Sequence, residues 1–230
     1  MTAVSTMDRN AIELRDRVRI AAERAHRNPE EITIVAVSKT FERARMDEAY
    51  QLGFRVFGES RVQEIRQKCE VPLPPDLELH MIGPLQTNKV RQVLPHIHVL
   101  ETVDRENLVT ALAHELERIG RTLRVLVQVN VSGEAQKSGL APGQVSQFIT
   151  TILNEPRLEP AGFMTMAPLG ADPATLRNVF GGLRQLRDQL QQQAGVELPI
   201  LSMGMSSDFE AAIAEGATHI RIGRALFGER

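Results

Sequence analysis

The sequence predicts a (β/α)8 barrel, the TIM-barrel fold, with an additional N-terminal helix, as one domain over residues 1–230. Short apolar runs alternate with amphipathic stretches eight times, which favours a parallel sheet with right-handed crossovers. The eight units occupy about 200 residues, a length that suits a barrel. A doubly wound open sheet is the alternative, but no glycine-rich dinucleotide-binding motif follows the first predicted strand.

The individual elements follow from local patterns in the sequence. Residues 8–27 have the apolar spacing of an amphipathic helix, and Asn28 and Pro29 predict its end. Residues 32–37 form the β-branched run of a buried strand. The other predicted strands are 54–57, 77–82, 97–102, 123–131, 158–165, 200–203 and 218–222. The predicted helices between them are 43–52, 61–69, 87–94, 104–119 with Asp104 as its cap, 142–153, 173–193 and 208–215. No full helix is predicted after the last strand.

Composition excludes several classes of protein. Apolar residues make up 42% and charged residues 24%, as in ordinary globular proteins, and a lone cysteine, Cys69, excludes a disulfide scaffold. A net charge of −2, with no tryptophan and one tyrosine, argues against binding to nucleic acid. No apolar run approaches the about 20 residues that cross a membrane, and the N-terminus lacks a signal-peptide pattern. We therefore expect a cytoplasmic protein without membrane or nucleic-acid partners.

Lys39 is the strongest candidate for a reactive residue in the sequence. It directly follows the first predicted strand, and barrel active sites lie at the carboxyl ends of the strands. A low-dielectric barrel mouth favours the neutral amine, which can attack an aldehyde and form a Schiff base. The alternative is a lysine that merely tops the strand and reaches into water. Lys68, near a helix end before a proline-rich loop, is predicted to be a surface lysine.

The loops after the last two strands predict a phosphate site. Residues 204–208, GMSSD, run directly into a predicted helix, and Gly223 allows the following loop to approach closely. The alternative is that Ser206, Ser207 and Asp208 only cap that helix. Arg221 alternates with Ile220 and Ile222, so we expect its side chain inside the barrel. There it needs a ligand, or a carboxylate from Glu59 or Glu101.

Other polar residues carry weaker signals. His80 ends a predicted strand, where a hydrogen-bonded structural role is expected. His96 and His98 lack the third ligand that a metal site would need, so no metal is expected. Glu59 and Glu64 form either an acid–base pair or part of a surface helix face.

A Schiff-base lysine combined with a phosphate site suggests pyridoxal phosphate, and the sequence resembles the pyridoxal phosphate homeostasis protein family. Through that family it is similar to the barrel domain of fold-type III alanine racemases. The motifs that carry the resemblance, in order, are AVSKT at 36–40, FGESRVQE at 57–64, HMIGPLQTNK at 80–89, KSG at 137–139, GFMTM at 162–166, LSMGMS at 201–206 and RIGRALFG at 221–228.

The resemblance implies a set of cofactor-binding residues: Lys39, Ser60, Met203, Ser206, Ser207, Arg221, Gly223 and Arg224. By this resemblance Lys39 carries pyridoxal 5′-phosphate as an internal aldimine, and Arg221 faces the pyridine nitrogen. The phosphate lies among Ser206, Ser207, Gly223 and Arg224. The family usually has asparagine where this chain has Ser60, so an amide contact near the cofactor is expected to be lost or bridged by water.

The resemblance implies a non-catalytic protein that binds, buffers and delivers pyridoxal phosphate, with cofactor-free forms of enzymes that use it as candidate recipients. An amino-acid racemase is the alternative. Racemisation needs a second base, which related racemases take from another domain and a partner subunit; the sequence ends at Arg230, and Tyr50 and Cys69 are placed on helices. A cofactor-free Schiff-base aldolase would typically carry its lysine on a later strand. We expect a monomer, and the sequence leaves open whether Lys89 or Lys137 holds a second cofactor in transit.

Overall fold

Eight parallel strands close a barrel in the computed structural model of the protein, which describes residues 5–134 and 136–229. Strands β1 to β8 are, in chain order, Thr33–Val37, Val56–Glu59, Glu78–Met81, Val99–Val103, Leu123–Gln128, Leu158–Met164, Ile200–Met205 and His219–Ile222. Each strand pairs in parallel with the next one along the chain, and β8 pairs with β1, which closes the sheet. The predicted barrel is confirmed.

Helices alternate with these strands throughout the described part of the chain. Helices α1 to α9 are Thr6–Arg24, Arg43–Gln51, Val62–Lys68, Val90–Val93, Glu106–Ile119, Val145–Leu153, Pro173–Ala194, Phe209–Ala214 and Arg224–Phe227. Helix α1 precedes the barrel, as predicted. The single-turn helix α9 follows β8, where no full helix was predicted. The helix predicted over 87–94 is divided into a 3-10 turn, Thr87–Lys89, and α4.

The ends of α1 follow from local hydrogen bonding. Ser5 caps the helix: its hydroxyl accepts a hydrogen bond from the Asp8 backbone N–H, and the Asp8 carboxylate accepts one from the Ser5 N–H. The helix ends at Arg24, earlier than predicted, and His26 has a positive φ of 55°. The helix packs against α8, where Arg17 pairs with Glu210 at 2.6 Å.

The predictions for the end of β5 and for the start of α5 were wrong. Strand β5 ends at Gln128 rather than at residue 131, because Val129 forms only an isolated bridge with Leu140. Asp104 does not cap α5: the cap position is Arg105, which makes no side-chain cap bond. The Asp104 carboxylate instead pairs with the Arg105 guanidinium at 2.6 Å.

The buried side chains form two apolar regions. The larger region lies between the strands and the helices and includes Phe57, Phe163 and Phe180. The smaller one consists of Val99, Leu126, Ala161, Met164 and Ile200. Because successive side chains of a strand point to opposite faces, Val99 shares its face with Glu101, and Ile200 shares its face with Ser202. The inside of the barrel therefore carries polar groups beside a small apolar floor.

Candidate functional site

Lys39 lies on a tight turn that leaves β1 at the barrel mouth. Ser38 is buried, whereas the Lys39 side chain is exposed. Thr40 has a positive φ of 69°, a conformation that residues with a side chain seldom adopt. Its backbone N–H donates to Glu64 Oε2 at 2.7 Å. The sequence predicted a Lys39 amine held in a low-dielectric barrel mouth, but the Lys39 side chain is exposed. Hydrogen bonds of the residues on either side of Lys39 fix the turn.

A buried ion pair lies directly against this turn. Lys68 Nζ donates to the Ser38 carbonyl at 2.7 Å and to Glu59 Oε1 at 2.5 Å, and the Ser38 hydroxyl donates to the same Glu59 oxygen at 2.6 Å. Burial raises the pKa of the Glu59 carboxyl, although the positive charge of Lys68 opposes the shift. The prediction of a surface Lys68 was wrong, since only 5% of the residue is exposed. Helical side chains tilt towards the helix N-terminus, which directs the lysine at the end of α3 back towards the mouth.

Arg221 points into the barrel, as the alternation along β8 predicted. Its guanidinium donates to the Ser202 hydroxyl and to the Thr165 carbonyl, both at 2.8 Å. Two of its five N–H donors are used in this way. The Ser202 hydroxyl in turn donates to Glu101 Oε2 at 2.6 Å, so Glu101 offsets the arginine charge through a hydroxyl. Glu101 was one of the two carboxylates expected to do so.

Glu101 also binds His80, deeper in the barrel. His80 Nδ1 lies 2.7 Å from Glu101 Oε1, and this ion pair is fully buried. Burial alone would raise the pKa of Glu101, but the bond to His80 and the charge of Arg221 lower it to about 2. For His80 burial acts in the opposite direction and would lower the pKa, but the hydrogen bonds and charges of Glu101 and Glu78 raise it. The expected structural role of His80 is consistent with this pairing.

The loops after β7 and β8 are joined by a hydrogen bond. The Ala225 backbone N–H donates to Ser206 Oγ at 3.3 Å. Asp208 occupies the cap position of α8 without a cap bond, and its carboxylate accepts a hydrogen bond from the Met205 N–H at 2.6 Å. The capping alternative therefore fails for Asp208. Ser207 and Arg224 are exposed beside these loops.

The predicted cofactor-binding residues come from four strands that are adjacent in the closed barrel: β7, β8, β1 and β2. In the sheet, Arg221 of β8 lies beside Met205 of β7 on one side and beside Val35 of β1 on the other. Neighbouring strands of a sheet are about 5 Å apart. The residues at the carboxyl ends of these strands, or just beyond them, are Lys39, Ser60, Met203, Ser206, Ser207, Arg221, Gly223 and Arg224. Met203 is buried, and Ser60 and Gly223 are half-buried.

Sequence reasoning missed several groups that shape this site. Ser202 and Thr165 bind Arg221, and Lys68 lies under the Lys39 turn. Period-two alternation along β7 could have placed Ser202 inside the barrel, on the same face as Ile200. No sequence signal indicates the reach of Lys68, because its partners Ser38 and Glu59 lie outside α3 and are brought to it only by the packing of α3 against the ends of β1 and β2.

Two further lysines lie near the mouth. Lys137 pairs with Glu134 in the loop after β5 and donates to the Met166 carbonyl at 3.3 Å. Lys89 is half-buried in the 3-10 turn after β3. Over residues 5–134 and 136–229 no group of three or more metal-ligand side chains comes together. Within the same residues no helix is both long and apolar enough to cross a membrane.

The chain is similar to known proteins over most of its length. The family model described as "Alanine racemase, N-terminal domain" matches residues 10–230. A pyridoxal phosphate homeostasis protein of Aquifex aeolicus is 41% identical over 215 residues, covering 94% of each chain. The structure of PipY from Synechococcus elongatus with PLP bound has a TM-score of 0.80 at 36% identity, covering 92% of this chain and 99% of that one. An alanine racemase of Clostridium difficile, 15% identical with a TM-score of 0.75, shares the fold over 96% of this chain and 57% of its own.

Proposed function

The chain belongs to the pyridoxal phosphate homeostasis protein family, and from this membership we propose that it binds pyridoxal phosphate on Lys39, buffers it and delivers it to other proteins. A relative that is 36% identical over nearly the whole chain has been solved with PLP bound. The observation that carries the proposal is the convergence, on neighbouring strands, of the Lys39 turn with the joined loops after β7 and β8.

The donor set at the mouth fits the chemistry of this cofactor. The phosphate is a dianion, and Ser206, Ser207 and Arg224 offer hydroxyl and guanidinium donors on the two joined loops. Gly223 leaves room for close approach, since a Cβ there would have no atom nearer than 3.5 Å. Arg221 has donors beyond the two used by Ser202 and Thr165, which suits a ring nitrogen acceptor.

Lys39 supplies the amine for covalent attachment. When bound, the cofactor offers an aldehyde, to whose carbon the lysine nitrogen forms a C=N bond while the aldehyde oxygen leaves as water. The exposed position of Lys39 leaves its amine accessible to a ligand arriving from solvent, and accessible to an acceptor that removes it. Reversible attachment at an open mouth suits storage and transfer.

We also propose that this chain has no appreciable catalytic activity of its own, and Arg221 is a physical reason in addition to the need for a second base. Carbanion chemistry draws electrons into a protonated pyridine ring, usually with a carboxylate at the ring nitrogen. An arginine stays charged and donates its own hydrogen, so the nitrogen is left unprotonated and the ring is a weaker electron sink. A racemase also needs a second base, and Tyr50 is not placed for that role: its hydroxyl donates to Asp76 on the exposed side of α2.

Hydrogen exchange in deuterium oxide tests the delivery role against the racemase alternative. The protein is loaded with pyridoxal phosphate and incubated with L-alanine, with an equal concentration of free cofactor as the control. We expect exchange of the α-hydrogen no faster than with free cofactor, no D-alanine, and transfer of the cofactor to the cofactor-free form of an enzyme that uses it. Accumulation of D-alanine, or exchange at enzyme-like rates, would establish the racemase instead.

A further inference from the structure

We propose that Lys68, Glu59 and Glu64 are positioning residues that hold the Lys39 turn in the geometry for covalent attachment. This inference rests on the proposed function. It concerns the described residues beneath and beside the turn, and none of the three was among the predicted cofactor-binding residues. They act on Lys39 through its neighbours Ser38 and Thr40.

The first set of contacts that fixes the Lys39 turn is the buried ion pair. Lys68 Nζ binds the Ser38 carbonyl at 2.7 Å, and Glu59 Oε1 accepts from both the lysine and the Ser38 hydroxyl. The residue immediately before Lys39 is thereby fixed through its backbone and its side chain at once. Because β2 supplies Glu59 and α3 supplies Lys68, the position of Lys39 depends on two elements outside its own loop.

The second contact that fixes the turn is the hydrogen bond from Thr40, on the other side of Lys39, to Glu64. Thr40 takes a positive φ of 69°, which is a strained backbone conformation for a residue with a side chain. Its N–H donates to Glu64 Oε2 at 2.7 Å, and that carboxylate lies in the first turn of α3. A strained conformation persists only where the surroundings determine it, so Glu64 keeps the turn closed.

Stability alone does not account for this cluster. Removing two charges from water is expensive, and a buried ion pair is often replaceable by apolar residues at no loss of stability. The cluster is also incompletely satisfied, because Glu59 Oε2 has no hydrogen-bond partner among the residues described. A buried network that is not fully satisfied beneath the predicted attachment residue points to geometry as its purpose.

Attachment and phosphate binding depend on different parts of the site, which makes the inference testable. The phosphate loops follow β7 and β8, whereas the three positioning residues come from β2 and α3. Loosening the Lys39 turn should therefore impair formation of the C=N bond and leave the phosphate contacts intact. A displacement of about 1 Å at a reacting group can slow a reaction about a hundredfold.

The experiment compares two ligands on Lys68→Met and on Glu64→Ala. Pyridoxal phosphate can attach to Lys39, whereas 4-deoxypyridoxine 5′-phosphate has the same phosphate but no aldehyde. We expect both variants to form the visible absorbance band about tenfold to a hundredfold more slowly than the wild type. Their affinity for the deoxy analogue should stay within about twofold of the wild type. Lys68→Arg, which keeps the charge and the donors, should recover much of the rate.

Controls separate positioning from general destabilisation. Ile65→Ala removes a fully buried side chain from the same helix and lowers stability without removing a bond to the turn. It should keep the wild-type rate of band formation while it remains folded by circular dichroism. If Lys68→Met does not fold, Glu64→Ala carries the test, because its bond lies at the half-buried edge of the turn.

The possible results distinguish the positioning role from the proposed function. Equal losses for the two ligands, or an unchanged rate in folded Lys68→Met and Glu64→Ala, would overturn the positioning role. Failure of the wild-type protein to form the band, or to bind either ligand, would instead refute the proposed function itself. Slow attachment with normal binding of the analogue supports the inference.

Discussion

Ser206 links two loops through one side chain and is the residue at which phosphate recognition is most easily tested. Its hydroxyl accepts the Ala225 N–H, and it lies beside the exposed Ser207. Ser206→Ala should weaken binding of pyridoxal phosphate about tenfold, since a hydrogen bond to a charged group contributes about 1–3 kcal/mol. Binding of unphosphorylated pyridoxal, measured by the same titration, should hardly change.

The control for this substitution is Ser146→Ala, an exposed serine in α6, which follows β5 and not β7 or β8. It should leave both affinities unchanged. If Ser206→Ala weakened pyridoxal and pyridoxal phosphate by the same factor, the residue would act on the shape of the loop and would have no role at the phosphate.

Glu101 predicts how the stability of the protein responds to acid. Its pKa is lowered to about 2, so its stabilising contribution is complete above its ordinary pKa of 4.5 and is lost as the pH falls from 4.5 towards 2. The free energy of unfolding, measured by urea titration, should decline over that interval. Glu101→Gln should cost about 3 kcal/mol at neutral pH, because it leaves buried charges unpaired, and should make the decline shallower.

An exposed carboxylate provides the comparison. Glu13→Gln, on the solvent side of α1, should retain the stability and the acid response of the wild type. An equally steep decline in Glu101→Gln would show that other carboxylates govern the acid response.

Among the elements, the end of β7, where it lies against α8, has the tightest steric requirement near the phosphate loops. Gly204 has a φ of 90°, and a Cβ there would lie 2.6 Å from the Ala212 Cβ and 2.9 Å from the Phe209 Cα. Gly204→Ala should therefore lower the free energy of unfolding by about 2–4 kcal/mol, through strain and overpacking together. It should also weaken binding of pyridoxal phosphate, because Ser206 directly follows the displaced end of β7.

Gly143→Ala is the matched control, since a Cβ at that position would meet no atom within 4 Å. Its stability, by thermal and urea unfolding, should lie close to that of the wild type. If Gly204→Ala were equally harmless, the close approach of β7 and α8 would not be a requirement of the fold.

At the scale of the whole molecule, the barrel could be predicted from the sequence because its signals are local. Strand runs such as residues 32–37 and their alternation with helices require no knowledge of distant contacts. The inward direction of Arg221 also followed from alternation along one strand. Glu101 was one of the two carboxylates predicted to offset the charge of Arg221. The Ser202 hydroxyl that bridges Arg221 and Glu101 was not predicted.

The parts of the site that could not be predicted depend on packing between distant segments. Lys68 reaches Ser38 and Glu59 across three elements, so its position near a helix end suggested solvent instead. Asp104 fits the preference for acidic helix caps, yet its neighbour Arg105 engages its carboxylate. In both cases a tertiary or competing side-chain contact overrode the local preference.

The identity of the modified lysine decides whether Lys39 is the attachment site for pyridoxal phosphate. The protein is incubated with pyridoxal phosphate, reduced with borohydride to fix any lysine adduct, digested, and mapped by mass spectrometry. We expect a pyridoxyl group on Lys39. In Lys39→Ala we expect loss of the visible band with little change in the unfolding temperature, because the exposed side chain contributes little burial. A pyridoxyl group on Lys68, Lys89 or Lys137, with Lys39 unmodified, would contradict it.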